Sequence, residues 1–208
     1  MGLVDLSLRD FTSVLGSDAP APGGGSAAAL SGANGISLTK MVCELTLGKK
    51  KYADVQDVIA DIHHKSGILQ EQLLAAIDKD TEAFNLVSAV FEMPKETDEE
   101  KAARRAAMQS ALKEAAQSPY DMMLVMVEAL EVTQKAVGKS NTNAASDLGV
   151  AALSLKAGLQ GAWLNVLINL SGIKDDSFVT TYRQKGEELL ERGCSLADMI
   201  YESIVDVV

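Results

Sequence analysis

The sequence predicts an all-α fold: a single multi-helical bundle domain with long helices, covering residues 1–208. Three observations carry that prediction. Apolar residues recur at steps of three and four over long stretches, helix-start signals precede those stretches, and no segment shows the strict alternation of a half-buried strand.

Taken in order, Ser7-Leu8-Arg9-Asp10 reads as a capping-box start leading to Phe11, Val14 and Leu15. Gly16–Gly25 (GSDAPAPGGG) is a breaker loop, and Ser26–Thr46 a helix built largely from Ala, Gly and Ser. Gly48 and the run Lys49-Lys50-Lys51 end it, with cations where a helix C-terminus favours them. Asp54–Met93 is one long helix stopped by Pro94. Its buried seam runs from Val55 through Ile62, Leu69 and Ile77 to Asp80, Phe84, Val87 and Phe91. Thr97-Asp98-Glu99-Glu100 is a second capping box opening a charged, Ala-rich helix to Gln117; Pro119 either starts another helix or kinks the same one, which runs to Val137. Gly138–Ala145 is a polar loop. Ser146-Asp147 is expected to cap a helix to Leu170, and Asp175 or Asp176 a last one.

Composition removes several classes of function. Lys plus Arg number 19 and Asp plus Glu 29, a net charge of −10, with 4% aromatic residues. That balance argues against a nucleic-acid or anionic-membrane partner. Cys43 and Cys194 alone make neither a disulfide framework nor a thiolate metal cluster. The start shows no basic segment followed by an apolar run, so a cytoplasmic protein is expected. The most apolar stretch, Leu148–Leu170, carries Lys156, Gln160, Asn165 and Asn169, and therefore reads as a buried helix rather than a membrane span.

Asp80 is the sharpest single candidate. It holds a seam position three residues after Ile77, so its carboxylate faces helix packing, whereas Asp78 points elsewhere. A carboxylate in a low-dielectric seam needs partners or a raised pKa, and such groups concentrate at catalytic sites. Spacing alone favours a structural hydrogen-bonding Asp over a catalytic one. A second lane, Asp147, Ala151, Ser154, Gly158, Gly161, Asn165 and Asn169, is small and polar, fit either for close helix packing or for a ligand. Gly23, Gly24, Gly25 and Ser26 set glycines against a helix start, where free amides bind an anion or a carbonyl, without matching a nucleotide fingerprint. Lys49, Lys50 and Lys51 form the main basic cluster; a solvated helix end is the commoner explanation of such a run, and a carboxylate-bearing ligand is the other. His63 and His64 lie about 100° apart on a helix and cannot share one site.

Six segments together resemble one family: Ala21–Leu30 (APGGGSAAAL), Gly48–Asp54 (GKKKYAD), Asp78–Phe84 (DKDTEAF), Pro94–Ala103 (PKETDEEKAA), Ser146–Ala152 (SDLGVAA) and Asn165–Leu170 (NVLINL). The family is the cyclodeaminase/cyclohydrolase family acting on one-carbon tetrahydrofolates, and the likeness runs from Leu6 to the last helix. It implies an all-helical homodimer that takes a tetrahydrofolate derivative as substrate, with no metal and no nucleotide, and other one-carbon folate enzymes as partners. Asp80 matches the aspartate to which cyclodeaminase activity is assigned, and Ser146-Asp147 a Ser-Asp pair beside the folate pocket. Many relatives look like Asn-Pro-Asn where this chain reads Asn141-Thr142-Asn143, with both amides, Asn141 and Asn143, retained.

The implied chemistry centres on the cationic methenyl bridge between N5 and N10. The expectation is Asp80 as acid/base, Asp147 as supporting charge, and Lys49–Lys51 on the glutamate carboxylates. A methenyltetrahydrofolate cyclohydrolase comes first because the domain stands alone, without room for a formiminotransferase half. A formiminotetrahydrofolate cyclodeaminase is the alternative, and a non-catalytic helical dimer that binds folate or a protein the third reading.

Overall fold

The computed structural model describes residues 2–208 and contains, among them, six α-helices and no strand. They are α1 (Leu8–Leu15), α2 (Gly24–Glu44), α3 (Gln56–Phe91), α4 (Asp98–Ala136), α5 (Ala145–Leu170) and α6 (Asp176–Val205). The helical order expected from periodicity is observed. Of the described helices, none is long and apolar enough to cross a membrane.

Local chemistry explains the ends. The Ser7 hydroxyl accepts the Asp10 N–H, and Thr97 and Glu100 close a reciprocal capping box at the start of α4. Asp175, not Asp176, caps α6 through the Phe178 N–H. The expected cap at Ser146-Asp147 is not formed: α5 starts one residue earlier, behind a short 3-10 turn at Thr142–Ala144, and its N-cap position is Ala144. Asp147 instead sits in the first turn, where a carboxylate still suits the helix dipole. Pro119 neither starts a helix nor ends one; α4 runs through it for 39 residues.

α2 lies between α3 and α5, while α4 packs across α3, α5 and α6. The small-residue lane of α5 is the contact with α2. A side chain on Gly158 would collide with the Ala28 carbonyl and the Gly32 amide, and one on Gly35 with the Ala151 carbonyl. Asn165 lies by Gly24, Gly161 by Ala28 and Ala151 by Gly35, so the two helices are antiparallel. Backbone proximity of this kind needs residues without bulk, which is why α2 reads as Ala, Gly and Ser. The remaining core is aliphatic and Met-rich, with Leu73, Met122, Met126, Leu130, Leu155 and Leu159 fully enclosed.

One expectation fails at the far end of α3. The seam was to bury Phe84 and Phe91, yet they are 42% and 63% exposed. α2 begins at Gly24, level with Asp80, and leaves the last turns of α3 with no helix on that face. Ala83 and Val90, on the side turned to α4, are the buried residues there.

Candidate active site

Three helices converge where α2 begins. Gly23 is its N-cap and offers no side-chain cap, so the first amides of the helix are left to other partners. The Asp80 carboxylate, half-buried on α3, lies directly over Gly25; a Cβ on Gly25 would overlap all three carboxylate atoms. Ser26 faces the same group. Its Oγ donates to the Ile77 carbonyl at 2.8 Å, with Asp80 Oδ2 at 3.4 Å and Thr81 Oγ1 at 3.3 Å. Burial pushes the Asp80 carboxyl above the ordinary carboxylate range, and the Ser26 N–H and hydroxyl offset part of that rise. The acid is thus held by a helix N-terminus yet kept easy to protonate.

On the opposite wall, Asn165 lies against Gly24, and its Nδ2 donates to the Gly161 carbonyl at 2.9 Å. One turn on, Asn169 Nδ2 donates to the Ala115 and Asn165 carbonyls, each at 2.9 Å. Both of its amide hydrogens are therefore used by the scaffold, leaving only Oδ1 for another group. The neighbouring Asp78 faces away from this site and accepts the Leu3 N–H on its carboxylate, which ties the N-terminal segment to α3. Thr81, which sequence reasoning passed over, adjoins Ser26; its place one residue after Asp80 was the available signal.

The remaining candidates gather at the other end of α2 and α5. Asn141 donates to the Leu45 carbonyl through Nδ2 at 3.1 Å and to Thr46 Oγ1 through its N–H at 2.8 Å. Asn143 donates its N–H to the Asn141 side chain. Lys51 Nζ stands 3.4 Å from Thr142 Oγ1; Lys49 and Lys50 are exposed, as is Ser146, while Asp147 is half-buried. Eighteen residues of α5 separate Asp147 from Asn165, about 27 Å along the axis. One chain therefore does not bring Asp147 or the lysines to Asp80. His63 pairs with Glu44 at 2.6 Å on the surface. A cavity of about 840 Å³ forms an open furrow between α3 and α4 lined by Lys79, Glu82 and Asp121, and Asp80 is not part of it.

An all-helical scaffold presenting a proton-accepting acid on a glycine-opened helix N-terminus is the class this geometry defines. A family profile described as formiminotransferase-cyclodeaminase matches residues 7–188, and the chain belongs to that family. It is 43% identical over 198 residues to a methenyltetrahydrofolate cyclohydrolase of Methylorubrum extorquens, covering 95% of each chain. It is 32% identical to the formimidoyltransferase-cyclodeaminase of Rattus norvegicus, covering 97% of this chain and 37% of that one. The crystal structure of a formiminotetrahydrofolate cyclodeaminase from Thermotoga maritima superposes with a TM-score of 0.80 at 32% identity, covering 98% and 96% of the two chains.

Proposed function

We propose that this chain is a methenyltetrahydrofolate cyclohydrolase of the cytoplasm, acting as one domain over residues 1–208, with Asp80 as its general acid/base. The observation that carries the reading is the Asp80 carboxylate: raised in pKa, half-buried, and held over the amides of Gly25 and Ser26. Ionised, it accepts a proton from the water that attacks the methenyl carbon, and its charge favours the cationic bridge. The carbinolamine then opens at the carbon–N5 bond: Asp80 returns the first proton to N5, the carbinol oxygen releases the second to solvent as it becomes the formyl carbonyl, and 10-formyltetrahydrofolate leaves. A pKa above the ordinary carboxylate value suits both halves of that cycle. Gly23–Ser26 and Asn165 line the space in which the bridge would sit.

The assembly we infer is a homodimer through the open face of α2 and α5. Met41, Leu45, Val150, Leu153, Leu164 and Ile168 are exposed there. α2 carries only Lys40 and Glu44 as charges, and α5 only Asp147 and Lys156. An apolar face this poor in charge suits a self-complementary contact. A twofold axis crossing the helices in the plane of contact sets the Asp80 end of one protomer beside the Ser146–Asp147 end of the other. That arrangement accounts for site residues that a single chain holds apart.

A spectrophotometric assay tests the activity: loss of methenyl absorbance without ammonia is expected. Formation of methenyltetrahydrofolate and ammonia from 5-formiminotetrahydrofolate, with no hydrolysis, would establish the cyclodeaminase alternative, which the Thermotoga structural likeness favours. Turnover of neither substrate would leave the folate-binding, non-catalytic reading.

A further inference from the structure

Two hydroxyls beside Asp80 compete for one acceptor. Thr81 lies inside α3, where the helix ladder carries its N–H to the Ile77 carbonyl. A helical threonine commonly sends its hydroxyl to that same carbonyl, four residues back, as Thr12 does to Leu8 and Thr133 to Ala129. At Thr81 the place is taken. Ser26 of α2, fully buried, donates through Oγ to the Ile77 carbonyl at 2.8 Å, and Thr81 Oγ1 stands 3.3 Å from Ser26 Oγ instead. A carbonyl has two lone pairs, so only one hydroxyl fits there beside the ladder N–H. Ser26 Oγ also has a second acceptor within reach, Asp80 Oδ2 at 3.4 Å.

The charged groups on the elements around Asp80 are turned to other partners. α2 carries no charge before Lys40, and α5 holds only Asp147 and Lys156, the latter paired with Asp198 of α6. On α3, Asp78 accepts the Leu3 N–H, while Lys79 and Glu82 line the furrow against α4 together with Glu114 and Asp121. In the N-terminal segment, Asp5 accepts the Gly2 N–H and Asp10 the Ser7 hydroxyl, and Arg9 and Asp18 are exposed. Burial and Ser26 are what move the Asp80 carboxyl, in opposite directions. In the homodimer inferred above, Asp147 of the second copy joins them; it is the same in every variant below, so each titration is read against the parent.

We propose that Ser26 and Thr81 form a paired-hydroxyl switch that follows the charge of Asp80. With the acid protonated, Ser26 donates to the Ile77 carbonyl and Thr81 to Ser26 Oγ. With it ionised, Ser26 turns to Asp80 Oδ2, and Thr81 takes the lone pair that Ser26 has left on Ile77. Neither hydroxyl gives up its proton; only the direction of each O–H changes. A general acid/base occupies both protonation states in every cycle, and a buried polar group left unmatched in either state is costly. The pair supplies a donor to the ion and keeps both hydroxyls and the carbonyl matched when the acid is neutral. Thr81 is thus a positioning residue, acting on the acid through Ser26. The role in turnover rests on the reading of Asp80 as the acid/base.

Side-chain carboxyl NMR of the full chain, with isotopically labelled aspartate, follows the titration of Asp80; its signal is assigned by loss in Asp80→Asn. Ser26→Ala is expected to raise the Asp80 pKa by about one to two pH units, the effect of losing one hydrogen bond to the charged form. Thr81→Val is expected to raise it about half as much, because Ser26 then turns only by leaving an Ile77 lone pair empty. Thr81→Ser restores the parental value. In the Ser26→Ala background Thr81→Val adds nothing, since no hydroxyl remains to carry its effect to the acid. The acid limb of the kcat/KM profile with methenyltetrahydrofolate moves to higher pH in step with each titration. The proposal is overturned by an unmoved titration in Ser26→Ala or Thr81→Val, by equal effects of Thr81→Val in the two backgrounds, or by failure of Thr81→Ser to restore. If Ser26→Ala does not fold, the two Thr81 variants decide alone. Titrations that move as expected in a chain that turns over no folate, or whose rate profile stays fixed, remove the acid/base reading and leave the switch standing.

Discussion

Asn169 Nδ2 donates to the Ala115 carbonyl, the acceptor that Pro119, four residues later and without an N–H, cannot serve. A side chain from α5 thus repairs the hydrogen-bond ladder of α4, and the helix passes through its proline unbroken. The bond also locks the wall of the candidate site to the back of the bundle.

Asn169→Ala is therefore expected to cost about 1–3 kcal/mol in denaturant unfolding. In a Pro119→Ala background the restored N–H at 119 serves Ala115, and the same substitution costs less. A double-mutant cycle reads the difference, expected at about 0.5–3 kcal/mol. Independent, additive costs would mean that the amide acts elsewhere, on ligand for instance.

Gly25 is the one glycine whose side chain would displace the acid. Gly25→Ala forces the Asp80 carboxylate out of its seat, with an expected destabilisation of about 1–3 kcal/mol and loss of turnover. At Gly23 a Cβ meets nothing within 4 Å, so Gly23→Ala is expected to change stability by no more than about 1 kcal/mol. Comparable unfolding midpoints for the two variants would contradict the placement of Asp80.

Asp80→Asn separates chemistry from stability. Because burial raises the pKa in the folded chain, ionising Asp80 opposes folding. That contribution to stability is intact below the unfolded value of about 3.9 and is lost as pH rises through the folded pKa. The variant is expected to be at least as stable as the parent at pH 7, with the advantage gone below about pH 4, while turnover falls about 10²–10⁴-fold. Urea titrations at both pH values, beside the absorbance assay, check it. A variant markedly less stable at pH 7 would identify the carboxylate as a structural cap.

Ser66 is fully buried and its hydroxyl has no partner among the described residues. Thr39, equally buried, meets Thr133 Oγ1 at 2.7 Å, and Thr133 donates onward to the Ala129 carbonyl. Removing an unmatched hydroxyl relieves a cost; removing a matched one creates it. Ser66→Ala is expected to be neutral or stabilising by up to about 1 kcal/mol, and Thr39→Val to cost about 1 kcal/mol. Thermal or urea unfolding of the two variants decides between equal and opposite effects.

The sequence made legible what depends on local pattern. Apolar spacing set out the long helices, and the seam position of Asp80 turned it toward helix packing; that the packed element is the start of α2 comes from the structure. The lane from Ala151 to Asn165 proved to be close contact with α2, one of the two uses its small residues allowed. What pattern misses is partner length. Phe84 and Phe91 keep the seam spacing, but the helix that would cover them begins only at Gly24, level with Asp80. Pro119 left a helix boundary and a kink both open because its compensation comes from Asn169, 50 residues away. Asp80 and Asp147 were joined in one site by the family resemblance, not by local pattern, and within one chain the length of α5, antiparallel to α2, holds them apart.

That separation supplies the last prediction, on whether two chains build one site. Asp80→Asn and Asp147→Asn are prepared as separate proteins, each expected to be deficient alone. After unfolding and refolding together in equal amounts, random pairing makes half the dimers mixed. If each site takes Asp80 from one protomer and Asp147 from the other, every mixed dimer holds one intact and one doubly altered site. Roughly a quarter of the parental activity should return. If each site lies within one chain, every site in the mixture keeps a defect and no activity returns. Sedimentation at the assay concentration establishes that dimers are present. A mixture that stays as inactive as its components, in a preparation shown to be dimeric, removes Asp147 from the site and leaves Asp80 to act within its own protomer.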